Sequence, residues 1–225
     1  MGADPGKLHV VSNGCDGNLF FVRDCTVARR ELNVPAEAEL IVFVGRMNRT
    51  KGIGELFESA AALFGKRPHL RVVYVGDGPG LAAIQEKTRA GGLTSRIFFA
   101  GACSSLQVAK WLAASNCLAL PSYAEGCPNA VIEALSCGRP VVATSVGSTS
   151  ELVDRRCGVL VPPRQVAALT DALDATLSAE WDENAIAHRF RREWDQVAQE
   201  VFAVCEASRQ PGQSRSLLPQ SVFAN

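Results

Sequence analysis

The run PSYAEGCPNAVIEALSCGRP, Pro121 to Pro140, sets two carboxylates, Glu125 and Glu133, eight residues apart across a loop-to-helix junction. The apolar segment Cys117 to Leu120 just before it reads as a short buried strand, Pro121 and Gly126 break that strand, and Pro128 suits the first position of a helix. Glu125 therefore belongs to a loop at the carboxyl end of a strand, where open α/β sheets bind their ligands. On the helix, Ala130, Val131, Ala134 and Leu135 form an apolar face, while Asn129 and Glu133 stand one turn apart on another. An unpaired carboxylate in a core is costly. Glu133 is thus either a solvated residue of an amphipathic helix or the partner of a group rich in donors, such as the two hydroxyls of a ribose.

Upstream, Leu40 to Val44 is a continuous apolar run of strand length, the pattern of a central parallel strand buried on both faces. It leads into GRMNRTKG, Gly45 to Gly52, and then a helix to about Phe64. Arg46 and Lys51 place two cations near a helix N-terminus, whose amides and dipole attract anions. Arg46 can grip a phosphate as a fork and Lys51 as a mobile point charge; the plainer reading is a solvated basic loop. The strand Leu70 to Val75 runs into Gly76-Asp-Gly-Pro-Gly80 and another helix. This is no dinucleotide fingerprint, because Leu81 stands where the third glycine of G-x-G-x-x-G belongs.

Further segments complete an alternation of strands and helices. Leu8 to Ser12, Arg96 to Gly101 and Val141 to Ala143 read as strands. Arg23 to Leu32, Leu106 to Ala114 and a segment ending near Leu177 read as helices. Asn184 to about Ala207 reads as one helix with Trp194, Val197, Ala198, Val201 and Phe202 on one stripe and a solvated basic lead-in of Arg189, Arg191 and Arg192. The expected fold is α/β, a Rossmann-like parallel sheet of about six strands with helices on both faces. The expected boundaries are a lead at 1–6, one domain over 7–206 and a disordered tail over 207–225, rich in Ser, Gln and Pro.

Composition sets the outer limits. At 225 residues, 47% hydrophobic and 20% charged, the chain can bury the core of one domain. Its 23 basic and 23 acidic residues cancel, so no global field favours nucleic acid or anionic lipid, and any anion must be held by local clusters. The eight cysteines contain no C-x-x-C pair and no metal-ligand spacing, which makes them buried hydrophobes of a reducing compartment. Cys127, between Gly126 and Pro128, is expected to line the site rather than to act as a nucleophile. His9, His69 and His188 lie away from the motifs and read as structural. No signal segment and no apolar run of the ~18 residues a membrane span needs is present, so the expected location is cytoplasmic.

The string E-G-x-P-N-x-x-x-E-A-x-x-x-G-x-P-V-V-A-T, Glu125 to Thr144, together with Val11 to Asp16 (VSNGCD), Gly45 to Gly52 and Gly158 to Pro163 (GVLVPP), resembles the C-terminal, donor-binding half of retaining GT-B glycosyltransferases of group 1, the glycosyltransferase family 4-like enzymes. That family includes glycogen and sucrose synthases and many enzymes of polysaccharide and glycolipid biosynthesis. Ser148 and Ser150 depart from its usual G-G-x-P-E loop.

The resemblance implies a nucleoside-diphosphate sugar as substrate (UDP-, GDP- or ADP-linked), no cofactor, no metal, and retaining transfer of a hexose to an acceptor hydroxyl. Arg46 and Lys51 would hold the leaving diphosphate, Glu125 the donor sugar and Glu133 the ribose. Gly126, Cys127, Pro128 and Asn129 would line the donor pocket, and the backbone at Phe99, Ala100 and Gly101 would read the base; the side chains of Phe98 and Phe99 read as core. Arg46, Lys51 and Glu125 are the expected catalytic set. The resemblance covers one of two GT-B halves, so the chain alone is expected to bind nucleotide and to need an acceptor-domain segment or partner chain for transfer. A non-catalytic binding or assembly subunit and a GT-B epimerase or phosphorylase are the alternatives.

Overall fold

A computed structural model describes residues 8–209 of the chain. Six strands, β1 (Glu39–Val44), β2 (Leu70–Val75), β3 (Ile97–Gly101), β4 (Cys117–Leu120), β5 (Val141–Thr144) and β6 (Gly158–Val161), form one parallel sheet in the order β3-β2-β1-β4-β5-β6. Ile41, Val42 and Phe43 in β1, Leu118 and Ala119 in β4 and Val142 and Ala143 in β5 are fully buried. Burial on both faces explains why these segments are continuous apolar runs rather than alternating ones.

The helices are α1 (Cys25–Glu31), α2 (Ile53–Leu63), α3 (Leu81–Ala90), α4 (Ser105–Ala114), α5 (Asn129–Ser136), α6 (Thr149–Leu152), α7 (Val166–Ser178), α8 (Glu183–Phe190) and α9 (Trp194–Arg209). Right-handed crossovers put α2 and α3 on one face while the chain builds outward from β1 to β3, and α4 and α5 on the other once the strand order reverses. Accordingly α2 packs against α7, α1 against α4, and α5 against α8. None of the described helices is long and apolar enough to cross a membrane.

β1 pairs with β2 on one side and with β4 on the other, so the loops leaving β1 and β4 diverge from adjacent strand ends. This is the topological switch point, where open α/β sheets form a crevice. It places Gly45–Gly52 opposite Pro121–Pro128.

Three expectations need correction. Leu8 to Ser12 is not a strand: Leu8 and Val10 are 61% and 89% exposed, and the sheet edges are β3 and β6. The count of six is met instead by β6, the GVLV segment of Gly158 to Val161. The expected long C-terminal helix is broken at Arg191–Glu193 into α8 and α9, where the Cys15 N–H donates to the Arg192 carbonyl at 2.9 Å. Finally, the basic lead-in is no solvated face. Arg192 is 7% exposed, donates two bonds to Glu200 at 2.9 and 2.7 Å and a third to the Ser12 carbonyl, and Arg189 pairs with Asp154 at 3.0 Å; only Arg191 is exposed.

Two smaller adjustments follow. Pro128 caps α5 rather than opening it, and α9 runs to Arg209 with Trp194, Val201 and Phe202 of its apolar stripe exposed. The expected lead at 1–6 and the rest of the tail, 210–225, lie outside the described residues.

The loop ends are held backbone to backbone. Gly76 sits at φ +137°, and a Cβ there would lie 1.9 Å from the Gly45 carbonyl oxygen. Gly92 also has positive φ, +65°, but faces open space. Gly76→Ala is expected to cost about 3 kcal/mol or more by urea denaturation, because strain and clash add. Gly92→Ala should cost only the ~1 kcal/mol of the left-handed backbone; equal losses at the two positions would show that the contact at Gly76 is not limiting.

Candidate functional site

The loop after β1 is shaped by its own side chains. Asn48 caps the short 3-10 turn Arg49–Lys51, accepting from the Lys51 N–H at 3.1 Å and from the Thr50 hydroxyl at 2.8 Å. Gly52 then opens α2 at φ +67°, with its α-carbon so close to the next loop that a Cβ would sit 2.0 Å from the Pro121 carbonyl oxygen. The Tyr123 N–H closes the contact on the Thr50 carbonyl at 2.8 Å.

That register brings together Lys51 and Glu125, 74 positions apart in sequence: Lys51 Nζ donates to Glu125 Oε1 at 2.6 Å. The side chains are 26% and 8% exposed. Arg46, five residues before Lys51, is exposed, and its side chain has no hydrogen bond or ion pair among the described residues. A site with one bound and one open cation is suited to an anion that reaches both.

On the far side of Glu125, a Cβ on Gly147 would lie 1.8 Å from the Glu125 carbonyl oxygen, and Ser148 donates to the Gly126 carbonyl from its N–H at 3.2 Å and its hydroxyl at 2.5 Å. Ser150 meets Ser145 at 3.0 Å. Of the two serines that depart from the family pattern, Ser148 thus ties its loop to the Glu125 loop, while Ser150 bonds within its own loop. α5 begins at Asn129 without a side-chain cap, which leaves its leading amides open to a ligand or water. Pro128 is buried, while Gly126, Cys127 and Asn129 are exposed around this end.

Glu133 lies one turn into α5, half-buried, and its carboxylate has no hydrogen bond or ion pair among the described residues. Burial pushes its carboxyl above the ordinary value. Phe99, by contrast, stacks on Tyr74 at 5.5 Å between ring centres, so its side chain is core. Phe98 is 44% exposed and so is not the core residue it was expected to be. Gly101 turns at φ +71°, its carbonyl accepting from the Gly76 N–H at 2.8 Å, which fixes the backbone at the end of β3.

Residues outside the expected set also enter the site. Asn13 donates to the Asn129 side chain at 2.8 Å, and its place in the VSNGCD motif was the available signal. Tyr123 bonds Glu55 through its hydroxyl, and the Arg164 guanidinium lies 4.5 Å from the centre of its ring; neither contact has a local sequence signal. His9, His69 and His188 are all exposed, and among the described residues no group of three or more His, Cys, Asp or Glu could hold a metal.

A parallel sheet of this order, with a basic loop and an acidic loop facing each other across the switch point, defines a Rossmann-like domain of the GT-B class. The chain belongs to the family of glycosyl transferases group 1, whose family model matches residues 38–179. It is 34% identical over 212 residues to D-inositol 3-phosphate glycosyltransferase 2 of Catenulispora acidiphila, covering 88% of this chain and 50% of that protein. The chain spans about half the length of such curated relatives.

Among solved structures, HepE of Anabaena in complex with UDP superposes with a TM-score of 0.76 at 24% identity, covering 88% of this chain and 57% of HepE. The C-terminal domain of the group 1 family protein LpcC from Francisella tularensis gives 0.69 at 24% identity, covering 84% of this chain and 98% of that domain. The likeness in fold thus falls on a C-terminal half.

The raised carboxyl of Glu133 has a signed consequence. The folded protein keeps the Glu133 proton to higher pH than the unfolded chain, whose carboxyl titrates near 4.5. Stability is therefore lost as pH rises from 4.5 through the raised folded value, and the whole penalty stands above it. Glu133→Gln is expected to raise the thermal midpoint at pH 7 and to leave it unchanged below about pH 4, where both carboxyls are protonated. A gain of equal size at both pH values would trace to packing instead.

Proposed function

We propose that this chain is the donor-binding half of a retaining hexosyltransferase that takes a nucleoside-diphosphate sugar. The observation that carries the reading is the crevice between the β1 and β4 loops, where Arg46 is exposed, Lys51 faces Glu125 at 2.6 Å, and Glu133, its carboxylate unpaired among the described residues, lies one turn into the adjoining helix.

In this reading Arg46, Lys51 and the leading amides of α5 hold the diphosphate, and Glu133 accepts from the ribose hydroxyls, which gives its buried carboxylate the donors it lacks. The backbone after β3, at Phe99 to Gly101, reads the base. Glu125 contacts the sugar and stabilises positive charge at the anomeric carbon.

In the reaction the anomeric carbon–oxygen bond breaks with its electron pair leaving on the diphosphate. The acceptor oxygen bonds to the same face of the sugar, and its proton passes to the departing phosphate. Arg46 and Lys51 stabilise the charge that grows there, so the step asks for neither a protein base nor a metal. The family and the D-inositol 3-phosphate glycosyltransferase relative support transfer as the reaction class. The acceptor would be held by the other half of a GT-B pair, and closure of the two would exclude water. A reducing cytoplasm suits the eight free cysteines, of which burial pushes Cys117 and Cys137 up to about 12.

Calorimetric titration of the chain with UDP, GDP and ADP, beside an Arg46→Ala variant, tests the reading. One nucleotide is expected to bind, and the variant to lose roughly 1.5–3 kcal/mol, the value of a charge-assisted hydrogen bond. EDTA should leave the affinity unchanged. An Arg46→Ala variant that binds as the wild type does would sink the assignment of the site, and binding that vanishes with EDTA and returns with magnesium would sink its metal independence.

A further inference from the structure

The Lys51–Glu125 pair bears on which ligand the crevice prefers, an inference that rests on the donor-site reading above. Each of the two side chains has the other as its sole hydrogen-bond partner among the described residues. Neither loop is free to withdraw. Asn48 holds the Lys51 N–H, Pro121 abuts Gly52, Thr50 receives the Tyr123 N–H, and Gly147 abuts the Glu125 carbonyl. A phosphate that reaches Lys51 therefore meets a carboxylate held beside it by the same ammonium, 2.6 Å away.

That carboxylate distinguishes the two members of a donor–product pair. A free nucleoside diphosphate ends in a phosphate that loses a second proton near pH 6, so at neutral pH it brings an extra negative charge toward Glu125. In the sugar conjugate the same phosphate is esterified, its extra charge is gone, and the ring carries hydroxyls that donate to a carboxylate. Repulsion in one case and hydrogen bonding in the other come from one side chain. Arg46, exposed and with no carboxylate partner among the described residues, attracts both members alike.

We propose that Glu125 is a specificity-determining residue that favours the sugar nucleotide over the free nucleoside diphosphate by contesting Lys51. After transfer, the ion pair re-forms as the diphosphate leaves, which speeds release of the product.

The test is calorimetric titration at pH 7.5 with the matched probes UDP and UDP-glucose, GDP and GDP-mannose, and ADP and ADP-glucose. The proteins are the wild type, Glu125→Gln and Arg46→Ala. Glu125→Gln should bind the free diphosphate up to about fivefold more tightly, the upper end for losing one ion-pair competitor, and should lose the preference for the conjugate. Arg46→Ala should weaken both members of the pair by the same factor.

If Glu125→Gln leaves diphosphate affinity unchanged or weaker while Arg46→Ala weakens it, this inference is overturned and the donor site stands. If the wild type binds no probe, or Arg46→Ala binds as the wild type does, the donor reading falls and this inference with it. Should Glu125→Gln prove unfolded by its melting curve, Glu125→Asp draws the carboxylate back by one methylene and must tighten diphosphate binding in the same direction; no tightening overturns the inference.

Discussion

The close approach of backbone to backbone at the carboxyl edge of the sheet governs this structure. The loops after β1, β2, β4 and β5 touch at points where a single methyl group would not fit: Gly76 against Gly45, Gly52 against Pro121, Gly147 against Glu125, with a notional Cβ 1.8–2.0 Å from a carbonyl oxygen in each case. Such contacts exclude side chains from the seam and let the main chain of one loop set the position of the next. The result is a crevice whose walls are ordered before any ligand arrives. Ordering that is already complete in the free protein is not charged against affinity at the moment of binding.

On that frame the electrostatics are deliberately unbalanced in a chain whose formal charge is zero. Among the described residues the Arg46 side chain is left without a partner, Lys51 is matched to Glu125, and the Glu133 carboxylate is left desolvated and unpaired. Other buried or half-buried charges find partners: Arg139 grips Glu183 through two bonds at 2.6 and 2.9 Å, Arg67 bridges Glu39 and Asp174 at 2.6 Å each, and Arg29 donates to two carbonyls and the Asn116 side chain. A protein able to satisfy those arginines could have satisfied Glu133. Its isolation lowers stability above the ordinary carboxylate range, and under the proposed function that cost goes with a position kept for a ligand.

The sequence disclosed what depends on local pattern. β1 was legible because five apolar residues in a row can only be buried on both faces, and the β1 loop because glycine, cations and a helix start follow in order. The pairing of Lys51 with Glu125 was not, since each was assigned a separate role and only the strand order, β1 next to β4, makes them neighbours. Phe99 could be read as packing, though not its stack on Tyr74. β6 was missed as a strand because Gly158 to Val161 is short and only partly buried at the sheet edge, which gives neither a continuous run nor a clean alternation.

The errors at the two ends of the described chain have a common cause. Leu8 to Ser12 has the composition of a strand, and Asn184 to Ala207 the periodicity of one helix, but neither pattern says where backbone hydrogen bonds must go. The Cys15 N–H goes to the Arg192 carbonyl, the Gly17 N–H to the Glu193 carboxylate at 3.1 Å, and the Arg192 guanidinium to the Ser12 carbonyl at 3.3 Å. The helix breaks where residue 192 turns its carbonyl and guanidinium to another segment, and a segment at 12–17 that spends its groups there does not add to the sheet. The Gly14 backbone is so close to this break that a Cβ would lie 2.7 Å from the Arg192 carbonyl oxygen. The lost strand and the broken helix are therefore one feature, a clasp between the entry and exit segments, and it also delivers Asn13 to Asn129 at the mouth of the crevice.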